Sequence, residues 1–406
     1  MKFTRRIVQF GFLALVLAGV FLAGANVERW CPFGGVEALY TYVKEGSMLC
    51  SLGVSNFYIL GGVLALTLLV RRVFCGYMCP IGTISEWLHA AGGRLGAMRW
   101  RVPRRLDRVL SLLKYAVLGT VLWLTWQAGE LIFRGFDPCY ALISRHGADI
   151  TCWAYVVAAA IAVASLLVAI PFCRWFCPLA AVLNPFSRFG LTRVERESAV
   201  CTDCGRCARA CPMAIPVDRL QIVTAARCTS CMDCVAACPK QDAGALRWGL
   251  AWPKVRLPQT ALLAALLLCT SAAVAATYLF PMASFVKTSR ADPPSTIANV
   301  SLRISGLTCR GRANLLVWFL ERDDLYMIPG PIAGKPGYFK IEAWPAPEAA
   351  EVRVGYDPAY CSQRLIKQAI TEPYYNAVED RWWMPPFAIE GYDPLRQNGT
   401  GPILAR

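Results

Sequence analysis

The stretch Cys201-Thr-Asp-Cys204-Gly-Arg-Cys207-Ala-Arg-Ala-Cys211-Pro212 is repeated with the same spacing as Cys228-Thr-Ser-Cys231-Met-Asp-Cys234-Val-Ala-Ala-Cys238-Pro239. Three thiolates on a tight loop can bind three irons of a [4Fe–4S] cluster, and the fourth cysteine, one helical turn later, reaches the other cluster. The pattern therefore predicts two clusters with interleaved ligands. The ligands of cluster one would be Cys201, Cys204, Cys207 and Cys238, and those of cluster two Cys228, Cys231, Cys234 and Cys211.

Zinc sites and disulfide frameworks are the other common uses of clustered cysteines. Zinc takes four ligands in two pairs and does not require eight cysteines at this spacing. Disulfides are rare in the cytoplasm, which is the side where the charge distribution of the chain places this stretch. Neighbouring [4Fe–4S] clusters pass single electrons, so the motif predicts electron transfer.

The composition of the whole chain predicts an integral membrane protein. Hydrophobic residues make up 56% of the 406 positions, and the mean hydropathy is +0.41. An apolar stretch of about 20 residues can cross the core of a bilayer. Five such stretches predict five transmembrane helices, at residues 7–26, 52–70, 109–128, 152–172 and 257–281. The first stretch could instead be a cleaved signal peptide.

The distribution of charge predicts the topology and explains the net charge of +15. With the N-terminus in the cytoplasm, the cytoplasmic segments carry 24 Lys and Arg against 8 Asp and Glu, and the opposite side carries 18 against 19. This asymmetry follows the positive-inside rule for a bacterial-type cytoplasmic membrane. We therefore expect the N-terminus and both clusters on the cytoplasmic side, and no nucleic-acid partner.

An internal two-fold repeat organises residues 1–190. Each unit contains an apolar helix, two cysteines, a second apolar helix and a Cys-x3-Cys-Pro motif. We call the cysteines of the two motifs the inner quartet: Cys75, Cys79, Cys173 and Cys177. The remaining cysteines of the units are predicted at the outer face and form the outer quartet: Cys31, Cys50, Cys139 and Cys152. The same order of four cysteines, present twice, predicts two halves of parallel orientation.

The sequence leaves several roles open for these eight cysteines. Spacing of i, i+4 would put both thiols of each Cys-x3-Cys pair on one face of a helix end. The inner quartet could then hold a further iron–sulfur centre, act as redox thiols near a quinone, or pack in the core. The outer quartet could form disulfides, or bind a second cluster and complete a wire across the bilayer. Cys269 is expected to be structural, while His89 with Glu86 could relay a quinol proton or form a polar helix face.

The C-terminal part has the pattern of a separate α+β domain. After a predicted linker, strands and helices alternate in the order β-α-β-β-α-β, which is that of the ferredoxin-like split βαβ fold. The predicted elements are strand 299–304, a helix through Leu320, strands 338–343 and 351–356, helix 359–370 and a strand near 384–389. The predicted domains are the transmembrane repeat (1–190), the cluster domain (191–256), a fifth transmembrane helix (257–281), the linker (282–298) and an extracytoplasmic domain (299–394).

Residues 1 to about 250 resemble the membrane polyferredoxin family, which includes NapH-type quinol dehydrogenases, the membrane half of NosR and CcoG-like cytochrome-oxidase accessory proteins. The two Cys-x3-Cys-Pro motifs and the two cluster motifs carry this resemblance. It implies electron transfer between the quinone pool and a partner protein through clusters at the cytoplasmic face. The fifth helix and the C-terminal domain depart from the NapH pattern.

The C-terminal domain resembles a heavy-metal-associated domain, with Gly306-Leu-Thr-Cys309-Arg-Gly-Arg312 where that family carries Gly-Met-Thr-Cys-x-x-Cys. Arg312 replaces the second metal-binding cysteine, and its charge disfavours a bound cation. The first and third strands are expected to run parallel, which would bring Cys361 beside Cys309. That pair is predicted to form a disulfide, a substitute metal or redox site, or unpaired thiols.

Two functions are consistent with these features. The first is a membrane-bound electron-transfer protein, a quinol dehydrogenase-type oxidoreductase component that exchanges electrons between quinone and a redox partner. The second is a metal reductase or maturation factor, which would reduce an ion such as Cu(II) for an extracytoplasmic metalloprotein. A transporter is disfavoured because the predicted spans lack paired charged residues suited to an ion path.

Overall fold

A computed structural model describes most of the chain. The described residues are 2–24, 30–45, 55–96, 100, 102–128, 135–143, 151–250, 255–289, 296–307, 310–322, 338–344, 349–359, 361–376 and 379–393. Two compact units divide the chain, and each is considered by itself. The first comprises Met1–Glu37 with Ser55–Leu279, and the second comprises Ala38–Val54 with Phe280–Arg406. Cys50, Cys309 and His146 lie outside the described residues, so the predictions that involve them stay predictions.

The first unit begins with a helical part. Helix α2 starts in this unit and crosses its boundary after Glu37. The helices are α1 (Lys2–Phe21), α2 (Pro32–Glu45), α3 (Ser55–Val70), α4 (Val73–Tyr77), α5 (Pro80–Arg94), α6 (Arg104–Leu110), α7 (Leu113–Ala128), α8 (Pro138–Ile143), α9 (Cys152–Leu167), α10 (Pro171–Trp175) and α11 (Pro178–Arg188). A last helix of this unit, α14 (Gln259–Leu279), follows the cluster domain.

Three helices in the described part of the chain are long and apolar enough to cross a membrane: Phe3–Phe21, Arg104–Gln127 and Gln259–Leu279. The other two predicted spans correspond to α3 and α9, which are apolar but only 16 residues long. Helix α9 ends at Leu167, not at residue 172 as predicted, because Val168 is extended. Ile170 then adopts a left-handed conformation, as Arg71 does after α3.

Close helix packing holds this part together. Helix α3 packs along α14, and α5 packs along α9. A Cβ atom built on Gly62 of α3 would lie 2.6 Å from the Cβ atom of Ala273 in α14, so the approach of these two helices requires glycine. Cys269 is buried beside this contact, with its carbonyl oxygen 3.1 Å from the same built atom. The expected structural role of Cys269 agrees with this position.

A two-stranded antiparallel sheet closes the cluster domain. Strand β1 (Thr192–Arg196) pairs with β2 (Leu246–Leu250), so the two ends of the domain lie side by side. The helices α12 (Arg206–Ala210) and α13 (Asp233–Ala236) and a 3-10 turn at Val217–Arg219 lie between these strands in the sequence. Neither strand is predicted from the sequence, because a five-residue strand gives little alternation to detect.

The second unit contains a five-stranded antiparallel sheet covered by helices. Its elements are β3 (Phe285–Thr288), β4 (Ala298–Ser305), α15 (Arg310–Leu320), β5 (Tyr338–Trp344), β6 (Ala349–Tyr356), α16 (Gln363–Thr371), β7 (Tyr374–Asn376), β8 (Arg381–Trp383) and β9 (Ala388–Ile389). The strand order in the sheet is β3-β5-β6-β4-β9, and β7 and β8 form a separate hairpin. Alternate residues of β4 and β6 are buried, which places the core on one face of the sheet.

Two local predictions for this unit are corrected, and one hairpin is additional to the predicted elements. The predicted linker over residues 282–298 contains β3, whose Phe285 is buried and pairs with Ala343 of β5. Helix α16 begins at Gln363 and not at 359, because the side chain of Ser362 accepts a hydrogen bond from the backbone N–H of Leu365. The hairpin of β7 and β8 was not predicted.

The predicted closeness of Cys361 and Cys309 rested on parallel first and third strands, and this premise is wrong. Strands β4 and β6 run antiparallel, with Ser305 opposite Ala349 and Ala298 opposite Tyr356. The chain therefore leaves the two strands at opposite ends of the sheet, about 23 Å apart for eight-residue strands. Cys361 follows β6 and is buried in the core of this unit. Strand direction gives no support to a disulfide or metal site shared with Cys309.

Candidate metal centres

Two cavities lie inside the cluster domain, and each is lined by four of its cysteines. One is lined by Cys201, Cys204, Cys207 and Cys238. The other is lined by Cys211, Cys228, Cys231 and Cys234. These are the two interleaved sets that the sequence predicts, so each cavity takes three cysteines from one motif and one from the other.

The two cysteine loops share an unusual backbone. Asp203 and Ser230, each just before the second cysteine of its motif, both have φ of 48°. Gly205 and Met232, each just after that cysteine, have φ of 66° and 63°. Left-handed residues in such turns aim successive backbone N–H groups at one point, which favours a bound anion and occurs at iron–sulfur sites. A methionine at positive φ is strained. The second loop therefore adopts this conformation at an energetic cost at Met232, which Gly205 avoids in the first loop.

Four cysteines line each cavity, and four thiolates are the ligand set that a [4Fe–4S] cluster takes. Among the described residues, no three His, Cys, Asp or Glu side chains converge closely enough to hold a single ion. Burial raises the pKa of Cys211 to about 11 and that of Cys231 still further, so both would be neutral thiols without positive partners. An iron–sulfur cluster supplies that positive charge, and the residues present therefore fit it.

The two cavities differ in exposure although their loops match. Thr202, Asp203 and Cys204 of the first loop are exposed, whereas Thr229, Ser230 and Met232 of the second are buried. Helix α4 covers the second loop: a Cβ atom built on Gly76 would lie 3.1 Å from the carbonyl oxygen of Thr229. The first cavity therefore adjoins solvent and the second adjoins the helical part.

Three arginines surround the cavity beside the helices. Arg5 acts electrostatically on Cys231, Arg71 on Cys228 and Arg227 on Cys211. Arg71 is fully buried and donates hydrogen bonds of 2.9 Å to the carbonyl oxygens of Thr192 and Ala225. These cations favour the ionised form of the cysteines they face.

Two buried ion clusters join the cluster domain to the helices. Arg5 of α1 forms ion pairs with Asp233 of α13 and Glu86 of α5, and its Nε donates to the carbonyl oxygen of Gly76 at 3.1 Å. Asp107 of α6 pairs with Arg174 of α10 and with Arg227, and also accepts from Trp175 Nε1 at 2.9 Å. Both clusters place a cation beside the second cavity. The paired residues are far apart in the sequence, so no local pattern predicts these ion pairs.

Glu86 links α1 to α5, because it accepts hydrogen bonds from Arg5 and from Gln9. Burial raises the pKa of Glu86, and Arg5 lowers it in part. This contact gives Glu86 a structural role. The proton relay with His89 stays a prediction.

The inner quartet comes together, although not on a helix face as predicted. Helix α4 ends at Tyr77, and Cys79 is extended with φ −63° and ψ 117° as the residue before α5. Cys177 has nearly the same angles, φ −63° and ψ 116°, before α11. Proline at the first position of α5 and α11 ends the preceding turn and starts the next helix. The four sulfurs act electrostatically on one another, so both pairs face one place.

Two members of the outer quartet lie beside the inner quartet. Cys139 of α8 is within electrostatic range of Cys31, Cys79 and Cys177. Burial raises the pKa of Cys31 to about 12. Cys31 and Cys139 therefore lie close to the inner quartet, and the predicted location of the outer quartet at the outer face of the membrane stays a prediction. The sequence pattern could not show this closeness. None of the described outer cysteines is in a disulfide, and Cys152 is exposed at the start of α9.

Comparisons with known proteins agree with this arrangement. A family model described as a 4Fe-4S binding domain matches residues 52–103 and again 151–197, and each match contains one Cys-x3-Cys-Pro motif. A model described as a 4Fe-4S dicluster domain matches residues 193–239. The cavities, these matches and the apolar helices define the class as a membrane-associated iron–sulfur protein of ferredoxin type.

The chain belongs to a family of membrane-associated, ferredoxin-like electron-transport proteins. It is 30% identical over 190 residues to MJ0750 of Methanocaldococcus jannaschii, covering 46% of this chain and 74% of that protein. It is also 30% identical over 204 residues to YccM of Escherichia coli K12, whose name assigns it to electron transport, covering 48% of this chain. The match spans only 56% of YccM. NirI of Paracoccus denitrificans is 29% identical over 51% of this chain and 30% of NirI. No solved structure matches the chain.

Proposed function

We propose that this chain is a multi-pass membrane protein that exchanges electrons between the quinone pool and a redox partner, with its N-terminus and cluster domain in the cytoplasm. The observation that carries the proposal is the unequal covering of the two cavities. Cys204 opens one cavity to solvent, and α4 covers the other. A protein that carries electrons from a membrane substrate to a soluble partner needs one cluster next to its membrane helices and another cluster next to solvent.

We assign the cluster ligands as the cavities group them. Cys201, Cys204, Cys207 and Cys238 would hold cluster one, and Cys228, Cys231, Cys234 and Cys211 would hold cluster two. When bound, each cluster supplies a site for one electron. Arg5, Arg71 and Arg227 offset the negative charge of the cluster-two thiolates. The ion pairs of Arg5 and Asp107 hold the cluster-two side of the cluster domain against the helices.

We further propose that the inner quartet is redox active, either as ligands of another iron–sulfur centre or as thiols close to the quinone. Its position supports this role. Cys75 precedes Gly76, the residue that contacts Thr229 beside Cys228. The inner quartet is therefore the cysteine group of the helical part that adjoins cluster two.

The alternative, a metal reductase or maturation factor, has less support. It depended on a metal site in the C-terminal domain, and the antiparallel direction of β4 and β6 removes the argument for pairing Cys361 with Cys309. The helical part and the cluster domain would serve either function. We therefore favour electron exchange with the quinone pool.

Addition of a menaquinol analogue to the anaerobically purified protein in detergent tests the proposal. We expect reduced-cluster EPR signals to appear, since the covered end would accept electrons from the quinol. Dithionite serves as the control, because it reduces exposed clusters without a quinone site. Reduction by dithionite and none by quinol would contradict the quinone assignment and favour a soluble donor.

A further inference from the structure

Arg71 connects the helical part of the first unit to the cluster domain. It directly follows α3 and has a left-handed backbone, with φ of 62°, which is strained for a residue other than glycine. Its side chain is 0% exposed and donates a hydrogen bond of 2.9 Å from Nε to the carbonyl oxygen of Thr192. A Cβ atom built on Gly190 would lie 2.8 Å from Cγ of Arg71, so glycine leaves the room that this side chain requires.

The guanidinium group of Arg71 lies close to the first cysteine of the second cluster motif. Its Nη1 atom donates to the carbonyl oxygen of Ala225 at 2.9 Å, and the backbone N–H of Cys228 donates to the same oxygen at 3.0 Å. Because the two donors share one acceptor, Nη1 lies within about 6 Å of the backbone nitrogen of Cys228. The Nη2 atom is buried and, among the described residues, has no hydrogen-bond partner. The loop that lines the second cavity therefore has a fixed arginine beside it.

Arg71 differs from the other two arginines at this cavity because, within the described residues, it forms no ion pair with a carboxylate. Arg5 and Arg227 both form ion pairs with Asp or Glu. Apart from Cys228, the charged side chain that acts on Arg71 is another cation, Arg193. Arg71 therefore brings one unpaired positive charge to the second cavity.

The first cavity differs in this respect. Arg196 lines it and is paired at 2.7 Å with Asp203, which is exposed. Lys240 lines the same cavity and is exposed as well. Water screens charges at this end, whereas Ser230 and Met232 of the second loop are buried. The two sites have the same set of four cysteines, so the difference between them lies in burial and charge.

Burial and charge act in opposite directions on the midpoint potential of a cluster. Reduction adds one electron, and hence one negative charge, to the cluster. Removal from water disfavours the added charge, whereas a buried cation favours it. Burial alone would therefore make cluster two harder to reduce than cluster one, and an unpaired cation at the second cavity would offset that difference.

We infer that Arg71 raises the midpoint potential of cluster two and brings it close to that of cluster one. One electron then passes between the clusters with little change in free energy, although one cluster is buried and the other adjoins solvent. This inference rests on the proposed cluster ligands and is independent of the quinone assignment. It names Arg71 as the residue that controls the potential of cluster two.

A redox titration of the purified full chain in detergent, followed by EPR, tests the inference. Dithionite supplies the electrons through dissolved mediators, so no quinol is needed. In the wild type we expect the two midpoints to differ by no more than about 59 mV, which is tenfold in the ratio of reduced to oxidised cluster for one electron. Cys204→Ala assigns the signals, because it removes a cysteine of the first cavity alone. A cluster-two midpoint lower than that of cluster one by more than this amount would overturn the inference without any variant of Arg71.

Arg71→Gln removes the charge and retains a hydrogen-bond donor. We expect the ratio of reduced to oxidised cluster two at a given potential to fall about tenfold, or about 59 mV, while cluster one is unchanged. Arg71→Lys keeps the charge and is expected to retain most of the wild-type midpoint, although lysine lacks the planar fork of arginine. The matched control is Arg196→Gln, which is expected to leave both midpoints nearly unchanged because Arg196 is paired with an exposed carboxylate.

An unchanged cluster-two midpoint in Arg71→Gln would contradict the inference. Equal losses in Arg71→Gln and Arg71→Lys would contradict it as well, because they would assign the effect to the hydrogen bonds and not to the charge. Iron content equal to that of the wild type shows that a variant is assembled, and if Arg71→Gln loses iron the wild-type midpoints still decide. Clusters that titrate as expected but stay oxidised with quinol would leave the role of Arg71 intact and remove only the proposed quinone function.

Discussion

Replacing Asp107 by alanine is expected to destabilise the first unit by about 3–5 kcal/mol, the usual effect of removing one partner from a buried ion pair. Asp107 is 3% exposed and accepts from Arg174, Trp175 and Arg227. Arg174 is also buried, so the substitution leaves a cation without a carboxylate. It also releases Arg227, the residue that ties the second cavity to α6.

Thermal unfolding in detergent, followed by circular dichroism, measures this effect. The matched control is Asp242→Ala, an exposed carboxylate in the cluster domain, for which we expect a change within about 0.5 kcal/mol. Equal unfolding temperatures for Asp107→Ala and Asp242→Ala would show that the buried ion cluster contributes little to stability.

Replacing Cys204 by alanine is expected to interrupt electron transfer at the exposed end. Cys204 lines the first cavity and is exposed, and its pKa is lowered mainly by the backbone N–H of Arg206. Loss of this ligand should remove cluster one and about four irons, while cluster two stays bound. Quinol should still reduce cluster two, but transfer to a water-soluble acceptor should fall by roughly tenfold or more.

The rate of quinol-driven reduction of a membrane-impermeant, water-soluble dye checks this expectation. Cys269→Ala is the control, because it removes a buried thiol outside both cavities and should retain the wild-type rate. An unchanged dye rate in Cys204→Ala, with cluster one absent by EPR, would mean that electrons leave the protein elsewhere.

The grouping of the eight cluster cysteines could be predicted from the sequence because spacing within each motif fixes which thiols share a loop. The difference in exposure between the two loops could not. Thr202 and Thr229 occupy the same place in matching motifs, and only the approach of α4 to Thr229 buries the second loop. Arg5 likewise meets Asp233 across 228 positions, a contact that no local pattern encodes.

The two errors at cysteine sites also have physical causes. The Cys-x3-Cys pairs were assigned to one helix face, but the prolines after Cys79 and Cys177 begin new helices and turn the chain. The expected approach of Cys361 to Cys309 assumed parallel strands, whereas a ladder of eight residue pairs makes β4 and β6 antiparallel. In the predicted β-α-β-β-α-β order, the first two strands run parallel and the hairpin reverses the third, so the assumption of parallel first and third strands was itself the mistake.

The most direct test of the central claim, that electrons pass from the membrane side through cluster two to cluster one, is the EPR signal of cluster one in Cys231→Ala. This variant removes a cysteine of the covered cavity and leaves all four cysteines of the exposed one. We predict that dithionite reduces cluster one in the variant and that a menaquinol analogue does not, although the analogue reduces it in the wild type. Reduction of cluster one by the quinol in Cys231→Ala at the wild-type rate would contradict this order of transfer.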